Sequence, residues 1–355
     1  MKRVQCIGLL LGTLLSVSAG HAQSAQIVLP RPSQHAVVTQ RIGITDVTIN
    51  YHRPLVNGRK VFGGLEAYGK VWRAGANENT TITFTDPVTI EGKALDAGTY
   101  GLHMIPAEGD WTVIFSKAAT SWGSFSYDQA EDALRVTVKT QPAEFHDALT
   151  YDFDDLKPDS AVVSMRWDKI AVPFKVAVNV NEVVEKSLHK QLRGLAQYTW
   201  DGWNDAADYL VASKVDLDEA LHYTDKSIAV EERYENLMTK SQVLDALGRK
   251  EEAAKFRTEA LAKANAIQSY TYARQLQRDK KLDESFAAYR ANAKKFPNDW
   301  ISHFGMARVY SAQGDYENAT KEGKAAMAGA PDDGGTKPFL EAQLKKLEAK
   351  EDINK

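Results

Sequence analysis

ARVYSAQGDYENATKEGKAAMAGAP, residues 307–331, carries the pattern that decides half of the fold. Small residues stand at Ala307, Ala319 and Ala326, aromatics at Tyr310 and Tyr316, a glycine at Gly314 and a proline at Pro331. The offset from Gly314 to Ala319 is repeated from Gly248 to Ala253, and the offset from Ala319 to Pro331 from Ser285 to Pro297. The positions Ala220, Ala253, Ser285 and Ala319 recur at intervals of 33, 32 and 34 residues. A period of this size predicts stacked helical hairpins, each of which must bury its apolar stripe against a neighbour. Small alanines let the helices approach, and proline, which has no amide hydrogen to donate, ends the second helix.

Working outward, the hairpins are expected at 201–230, 234–264, 267–296 and 299–330, after a joining helix over 182–194. A capping helix over 336–350 is amphipathic through Phe339, Leu340, Leu344 and Leu347. The first hairpin departs from the pattern, with Asp208 and Val215 where a small residue and a glycine are expected. The third has Lys280 in place of the glycine. These residues resemble tetratricopeptide repeats, most fully in the last hairpin. The resemblance implies a groove lined by the first helix of each hairpin. By register, Tyr209, Met238, Gln242, Tyr270, Arg274, Arg278, Phe304 and Arg308 face it. Three arginines there point to an extended peptide or acidic tail, and so to a protein or peptide partner.

Before residue 181 the period is two instead of 3.6. Val47, Ile49 and Tyr51 alternate with polar residues, as do Ile82 and Phe84, Tyr100, Leu102 and Met104, and Trp111, Val113 and Phe115. Val136 with Val138, then Leu149, Tyr151 and Phe153, then Val163, Met165 and Trp167, and finally Val172, Phe174, Val176 and Val178 continue the rhythm. The stretch from Tyr127 to Leu134 reads as one short turn of helix. Many short strands with one apolar face each predict an antiparallel sandwich or flattened barrel. The fold class is therefore multidomain: an all-β antiparallel sandwich or barrel over 27–180, then an all-α tetratricopeptide-like helical-hairpin solenoid over 181–355.

The polar, glycine-rich connection between the first two of these strands carries the candidate chemistry. It contains Arg53-Pro54, Gly58-Arg59, Phe62-Gly63 and the run from Trp72 through Arg73 and Asn77 to Glu78; Ala97-Gly98-Thr99-Tyr100 follows later. These blocks, in this order, resemble the signature of an exported bacterial family catalogued as domain of unknown function 2911, over about residues 30–178. The resemblance implies a secreted bacterial protein and assigns no activity.

Guanidinium forks bind carboxylates and phosphates. Arg53, Arg59, Arg73, Asn77 and Glu78 are therefore candidates for an anionic or sugar-like ligand, the alternative being that the arginines tie the loop to backbone carbonyls and to Glu78. Trp122, in a Ser-Trp-Gly-Ser loop, is the aromatic best placed to stack on a glycan ring. A hydrolase is a second reading, with Arg73, Glu78 and His103 at its centre and His52 assisting. His103 shares a strand face with Gly101 and Ile105, an outward-facing position. His52, His103 and Glu78 lack the helical spacing of a zinc site, so no metal or cofactor is expected. No Gly-x-Ser-x-Gly elbow or phosphate-cradling glycine loop occurs. A structural scaffold in the cell envelope is the third reading.

With 44 basic and 47 acidic residues, the chain lacks the basic excess of a nucleic-acid binder. Its first residues read as a leader. Lys2 and Arg3 precede the apolar run 7–17, and Gly20 and Ala22 set a cut after Ala22. The apolar run is too short to span a bilayer, which takes about 20 residues, and no later run replaces it. The sole cysteine, Cys6, lies in that leader, so the mature chain is expected in the periplasm or outside the cell, free of disulfides and thiol chemistry.

Overall fold

The structure, a computed structural model, describes residues 29–355; the expected leader over 1–22, with Cys6 and the cut after Ala22, lies outside the described residues. The chain divides into two compact units between Val180 and Asn181.

The first unit is built of β1 (Gln34–Ile42), β2 (Thr45–Arg53), β3 (Thr81–Phe84), β4 (Val88–Ile90), β5 (Lys93–Leu95), β6 (Gly98–Ile105), β7 (Trp111–Ser116), β8 (Asp132–Val138), β9 (Gln141–Lys157) and β10 (Ser160–Ala177). Six strands form one sheet in the order β1-β2-β3-β6-β7-β8, and four form another in the order β5-β4-β10-β9. Every pairing is antiparallel. Neither sheet closes on itself, so the architecture is a sandwich and not a barrel. The inner faces meet through aromatic rings: Phe115 of β7 lies 5.8 Å from Phe174 of β10, and Tyr51 of β2 lies 4.8 Å from Tyr151 of β9.

Two elements differ from the sequence reading for physical reasons. The stretch expected as a helical turn at 127–134 is a 3-10 turn over Gln129–Glu131 that runs directly into β8. The Val163 and Val172 runs, expected as separate strands, are one strand. Within β10 the buried parity changes from odd (Val163, Met165, Trp167) to even (Val172, Phe174, Val176). The change of face falls at Asp168, where the extra residues lie on β9 and not on β10, the partners running from Arg166–Thr150 through Asp168–His146 to Ile170–Pro142. The register shifts on both sides of Asp168, whose φ is 56°.

The second unit opens with α1 (Val180–Gln191) and continues as four helical hairpins. These are α2 (Trp200–Ser213) with α3 (Leu217–Val230), α4 (Tyr234–Ala246) with α5 (Lys250–Lys263), α6 (Ala266–Arg278) with α7 (Leu282–Lys295), and α8 (Trp300–Ala312) with α9 (Tyr316–Gly329). The helix α10 (Thr336–Glu348) follows them. The unit is thus a tetratricopeptide-like stack, and its repeat positions behave as the period requires. Ala220, Ala253, Ser285 and Ala319 are fully buried, and so are Ala207, Ser241, Ala273 and Ala307 on the first helices. Ser241 and Ser285 remain compatible with that burial because each hydroxyl donates to a helix carbonyl, of Ala253 and Ala273 respectively, at 2.8 Å.

The first hairpin departs less than its sequence implies. The left-handed turn residue is Lys214 (φ 56°), in register with Gly248, Lys280 (φ 62°) and Gly314, and the small residue is Ala207. Both lie one position earlier than Val215 and Asp208, the residues that the spacing singled out.

A β-branched side chain at Asp168 would meet its own carbonyl in the left-handed region. Asp168→Val is therefore expected to lower the unfolding free energy by about 1–2 kcal/mol, with Asp168→Gly neutral or stabilising. Urea unfolding of the two variants checks this.

Candidate functional site

The connection from β2 to β3 has little regular structure, yet it is pinned at two points. Phe62 packs edge-on against Trp111 at 4.7 Å and Trp167 at 5.8 Å, and Trp72 stacks on Trp167 at 5.6 Å. The Trp72 amide and carbonyl also pair with Met104 of β6, both at 2.8 Å. These anchors bring Glu66 and Arg73 to one cavity of about 240 Å³, lined by Glu66, Val71, Trp72, Arg73, Ser124 and Phe125. Arg73 is followed by Ala74 at φ 50°, a left-handed alanine whose carbonyl is held by the Tyr151 hydroxyl (2.8 Å) and the Thr80 hydroxyl (3.1 Å).

Arg73 differs from the other arginines of this segment. Arg53 donates to the Leu149 carbonyl (2.9 Å) and the Thr150 hydroxyl (2.6 Å), and Arg59 to the carbonyls of Val56 (3.0 Å) and Leu55 (2.5 Å). Both tie the loop down. Arg73 donates no hydrogen bond among the described residues, and its Nε is sealed from solvent. A Cβ at Gly123 would come within 2.5 Å of Arg73 Nη1, so a glycine there leaves room for the guanidinium. Burial pushes the Glu66 carboxyl up to about 7, with Arg73 and then Arg59 acting against that rise.

The wall of this cavity reaches His103. The expected outward position is buried, at 2% exposure, because the β7–β8 connection folds over that face of β6. Ser124 Oγ lies 2.9 Å from His103 Nδ1, and Tyr127 packs at 5.4 Å. This approach needs Gly101, where a Cβ would meet the Ala118 carbonyl oxygen at 2.7 Å. Burial lowers the His103 pKa to about 4, against a weaker pull from Asp132.

Glu78, His52, Asn77 and Trp122 belong to a second grouping. Arg31 Nη1 donates to both Glu78 oxygens at 2.6 and 2.7 Å, and its guanidinium lies 5.7 Å from the Trp122 ring, which is 57% exposed. His52 Nε2 is 3.5 Å from Glu78, and the His35 ring is 5.2 Å from that of His52. Burial, together with His35 and Arg31, lowers His52 against the pull of Glu78; burial raises Glu78, but the Arg31 hydrogen bond and its other partners hold it low. Asn77, at φ 60°, donates to the Ser33 carbonyl at 3.3 Å. Among the described residues no hydrogen bond joins the Glu78–His52 pair to the His103–Ser124 pair. Nor does any group of three or more His, Cys, Asp or Glu among them have the geometry to hold a metal ion.

In the helical unit, Tyr270, Phe304 and Arg308 meet. Arg308 Nε donates to the Tyr270 hydroxyl at 3.0 Å, and its guanidinium lies over the Phe304 ring at 4.9 Å. Arg274 donates to Gln277 at 2.7 Å on the same helix. Met238, Gln242 and Arg278 line a separate cavity of about 430 Å³ with Tyr234, Arg257 and Tyr272. Tyr209 donates to Asn181 at 3.0 Å. Arg31, Glu66, Ser124 and Phe125 were not marked by any sequence signal: they are ordinary residue types that long-range folding brings to the two groupings.

Comparison with known proteins finds a sequence family and several solved structures that resemble parts of the chain. Residues 33–176 match the sequence model of the family described as "Protein of unknown function (DUF2911)", in agreement with the resemblance carried by the Arg53–Glu78 blocks. Among solved structures the chain is similar to YrrB, described as a TPR protein with an unusual peptide-binding site. Identity is 20%, covering 47% of this chain and 85% of that one, with a TM-score of 0.28. The chain matches no curated protein. The description of the helical unit as a hairpin stack rests on its own repeat geometry.

A histidine kept neutral by burial contributes stability that is complete above about 6.5 and is lost as pH falls toward about 4. Between pH 7 and pH 4.5, His103→Gln is expected to remove on the order of 2 kcal/mol of acid destabilisation. Urea unfolding of both proteins at the two pH values measures it.

Proposed function

We propose that the protein is an exported, non-catalytic binding protein whose β unit holds a small anionic ligand at Arg73 and whose helical hairpins contact an extended peptide of a partner protein. The observation that carries the ligand reading is the state of Arg73. A guanidinium with a sealed Nε and no acceptor among the described residues is costly to keep unless something supplies that acceptor. A carboxylate or phosphate entering the 240 Å³ cavity does so, and Phe125, 86% exposed on the cavity wall, offers a ring face to the rest of the ligand. A sugar acid combines both features. Export is supported by the leader-like start. No helix among the described residues is long and apolar enough to cross a membrane.

The hydrolase reading is weaker on chemical grounds. Glu78 is engaged by Arg31 and His52, while His103 pairs with Ser124. A histidine with a pKa of about 4 is too weak a base to activate that serine efficiently near neutral pH.

Calorimetric titration of the full chain with a panel of sugar acids and simple carboxylates tests the ligand reading. One-to-one binding is expected, and Arg73→Ala should weaken it roughly 10- to 100-fold, as loss of a charged hydrogen bond does. Because the Glu66 carboxyl ionises near 7 and its charge opposes an incoming anion, affinity should fall as pH rises from 6 to 8. In Glu66→Gln that fall should disappear. Binding that ignores Arg73 contradicts the assignment.

A further inference from the structure

The last residues of the chain turn back onto the helical stack. After α10, Lys350 takes φ 59°, and the amides of Lys350 and Glu351 cap the helix by donating to the carbonyls of Leu347 and Lys346. This left-handed turn is a common helix ending, and it sends 351–355 back toward α8. Ile353 is buried, at 5% exposure, in the same cluster as Phe304, Ala307, Leu340 and Leu347.

The polar contacts around Ile353 read both backbone and side chain. Ser311 Oγ donates to Asp352 Oδ1 (3.1 Å) and accepts from the Ile353 amide (3.0 Å). Arg308 Nη1 donates to the Ile353 carbonyl (3.1 Å) and to Asn354 Oδ1 (3.3 Å). Asn354 Oδ1 also accepts from Gln277 Nε2 (2.7 Å), and its Nδ2 donates to the Arg308 carbonyl (2.9 Å). The helix residues involved lie on α6 and α8, the first helices of the third and fourth hairpins. Tyr270, Phe304 and Arg308, three of the positions that the repeat register assigns to the groove, surround the segment.

Simple packing does not call for this arrangement. An apolar tail needs no sequence-reading bonds to cover an apolar patch, whereas here three consecutive residues are each held by side chains of the groove. Arg308 is itself buried, at 5% exposure, and its hydrogen bonds go to a hydroxyl, a carbonyl and an amide oxygen. No ion pair reaches it among the described residues. A buried cation held by neutral acceptors gains less than one with a counter-charge, which keeps the occupant exchangeable.

We infer that the face formed by α6 and α8 is a peptide-recognition groove, occupied in the resting chain by its own Asp352-Ile353-Asn354 as an internal ligand, and that a partner protein engages it with an extended segment of the same Asp-apolar-Asn chemistry. This rests on the reading of the hairpin stack as a peptide-contacting surface and adds to it the recognised sequence and the means of restraint. The tail competes from within the molecule, at an effective concentration on the order of millimolar for so short a tether. Release requires only the chain beyond the Lys350 turn to move, with α10 left in place.

The test uses the full chain and a fluorescein-labelled peptide with the sequence of residues 349–355, AKEDINK. In the chain carrying Ile353→Asp and Asn354→Ala the groove is freed. Its affinity for the peptide, read by fluorescence anisotropy, is expected to exceed that of the native chain roughly tenfold or more. Adding Gln277→Ala to the freed chain should weaken binding several-fold, and a scrambled peptide should not bind. In the native chain, millimolar unlabelled peptide should accelerate amide hydrogen exchange at 351–354. A freed chain with native circular dichroism that ignores AKEDINK overturns the inference. If the freed chain loses its helices, the native exchange experiment decides, and unchanged exchange at 351–354 overturns it equally. Binding of other extended peptides but not AKEDINK to the freed chain rejects the internal ligand and leaves the peptide-contact reading standing. Binding of no peptide at all rejects both.

Discussion

Four aromatic side chains, Phe62, Trp72, Trp111 and Trp167, organise the β unit. Trp111 and Trp167 come from facing sheets and are fully buried; Phe62 and Trp72 come from the irregular connection between β2 and β3 and pack against them. Losing one such side chain typically costs about 3–5 kcal/mol, comparable to the stability of a small domain. The connection is therefore as firmly placed as a strand. The indole Nε1 of Trp72 donates to the Gly75 carbonyl at 3.1 Å, which links the buried ring to the turn after Arg73. A site placed in this way inherits the rigidity of the core, which preorganised recognition needs.

The same economy of small contacts governs the helical unit. Alanine and serine at the helix crossings bring the hairpins together, and the serine hydroxyls satisfy themselves on neighbouring carbonyls. Close crossing leaves the larger residues, Tyr270, Phe304 and Arg308, for the face made by the first helices. There the guanidinium of Arg308 is sandwiched between an aromatic ring and the polar atoms of the folded-back terminus. Arg73 and Arg308 both lack a carboxylate partner among the described residues, as Arg53, Arg59 and Arg274 also do. Arg73 has no acceptor among the described residues, and Arg308 has acceptors that carry no charge.

What the residues alone revealed follows from the range of the forces involved. Local periodicity exposes Val47-Ile49-Tyr51 and the repeat alanines, because burial of alternate or every third to fourth residue is written along the chain. β1 alternates only weakly in sequence, because its inward positions Ala36, Val38 and Gln40 are half-buried and mixed in type, with Ile42 its fully buried residue. The change of face at Asp168 was present in the sequence as a change of parity, but a single aspartate does not announce whether a strand breaks or bends. The burial of His103 depends on Gly101 and on a loop some twenty residues away, which no local rule connects. Arg53, Arg59 and Arg73 look alike in sequence, yet Arg53 finds its carbonyl on β9 and Arg59 on Leu55 and Val56 of the loop itself, while Arg73 reaches neither. The terminal Asp-Ile-Asn has no periodicity at all, and its burial emerges from the turn at Lys350.

The claim on which the β-unit account turns is that Arg73, with its Nε sealed and no acceptor among the described residues, binds an anion, and nuclear magnetic resonance of arginine side chains observes that atom itself. With nitrogen-15-labelled full chain, assigned by comparison with Arg73→Lys, the Hε of Arg73 should exchange with water far more slowly than that of exposed arginines. It should also shift on addition of a binding carboxylate while the signals of Arg53 and Arg59 stay in place. An Arg73 Hε that exchanges as fast as an exposed one and stays unmoved across the carboxylate panel would contradict the account.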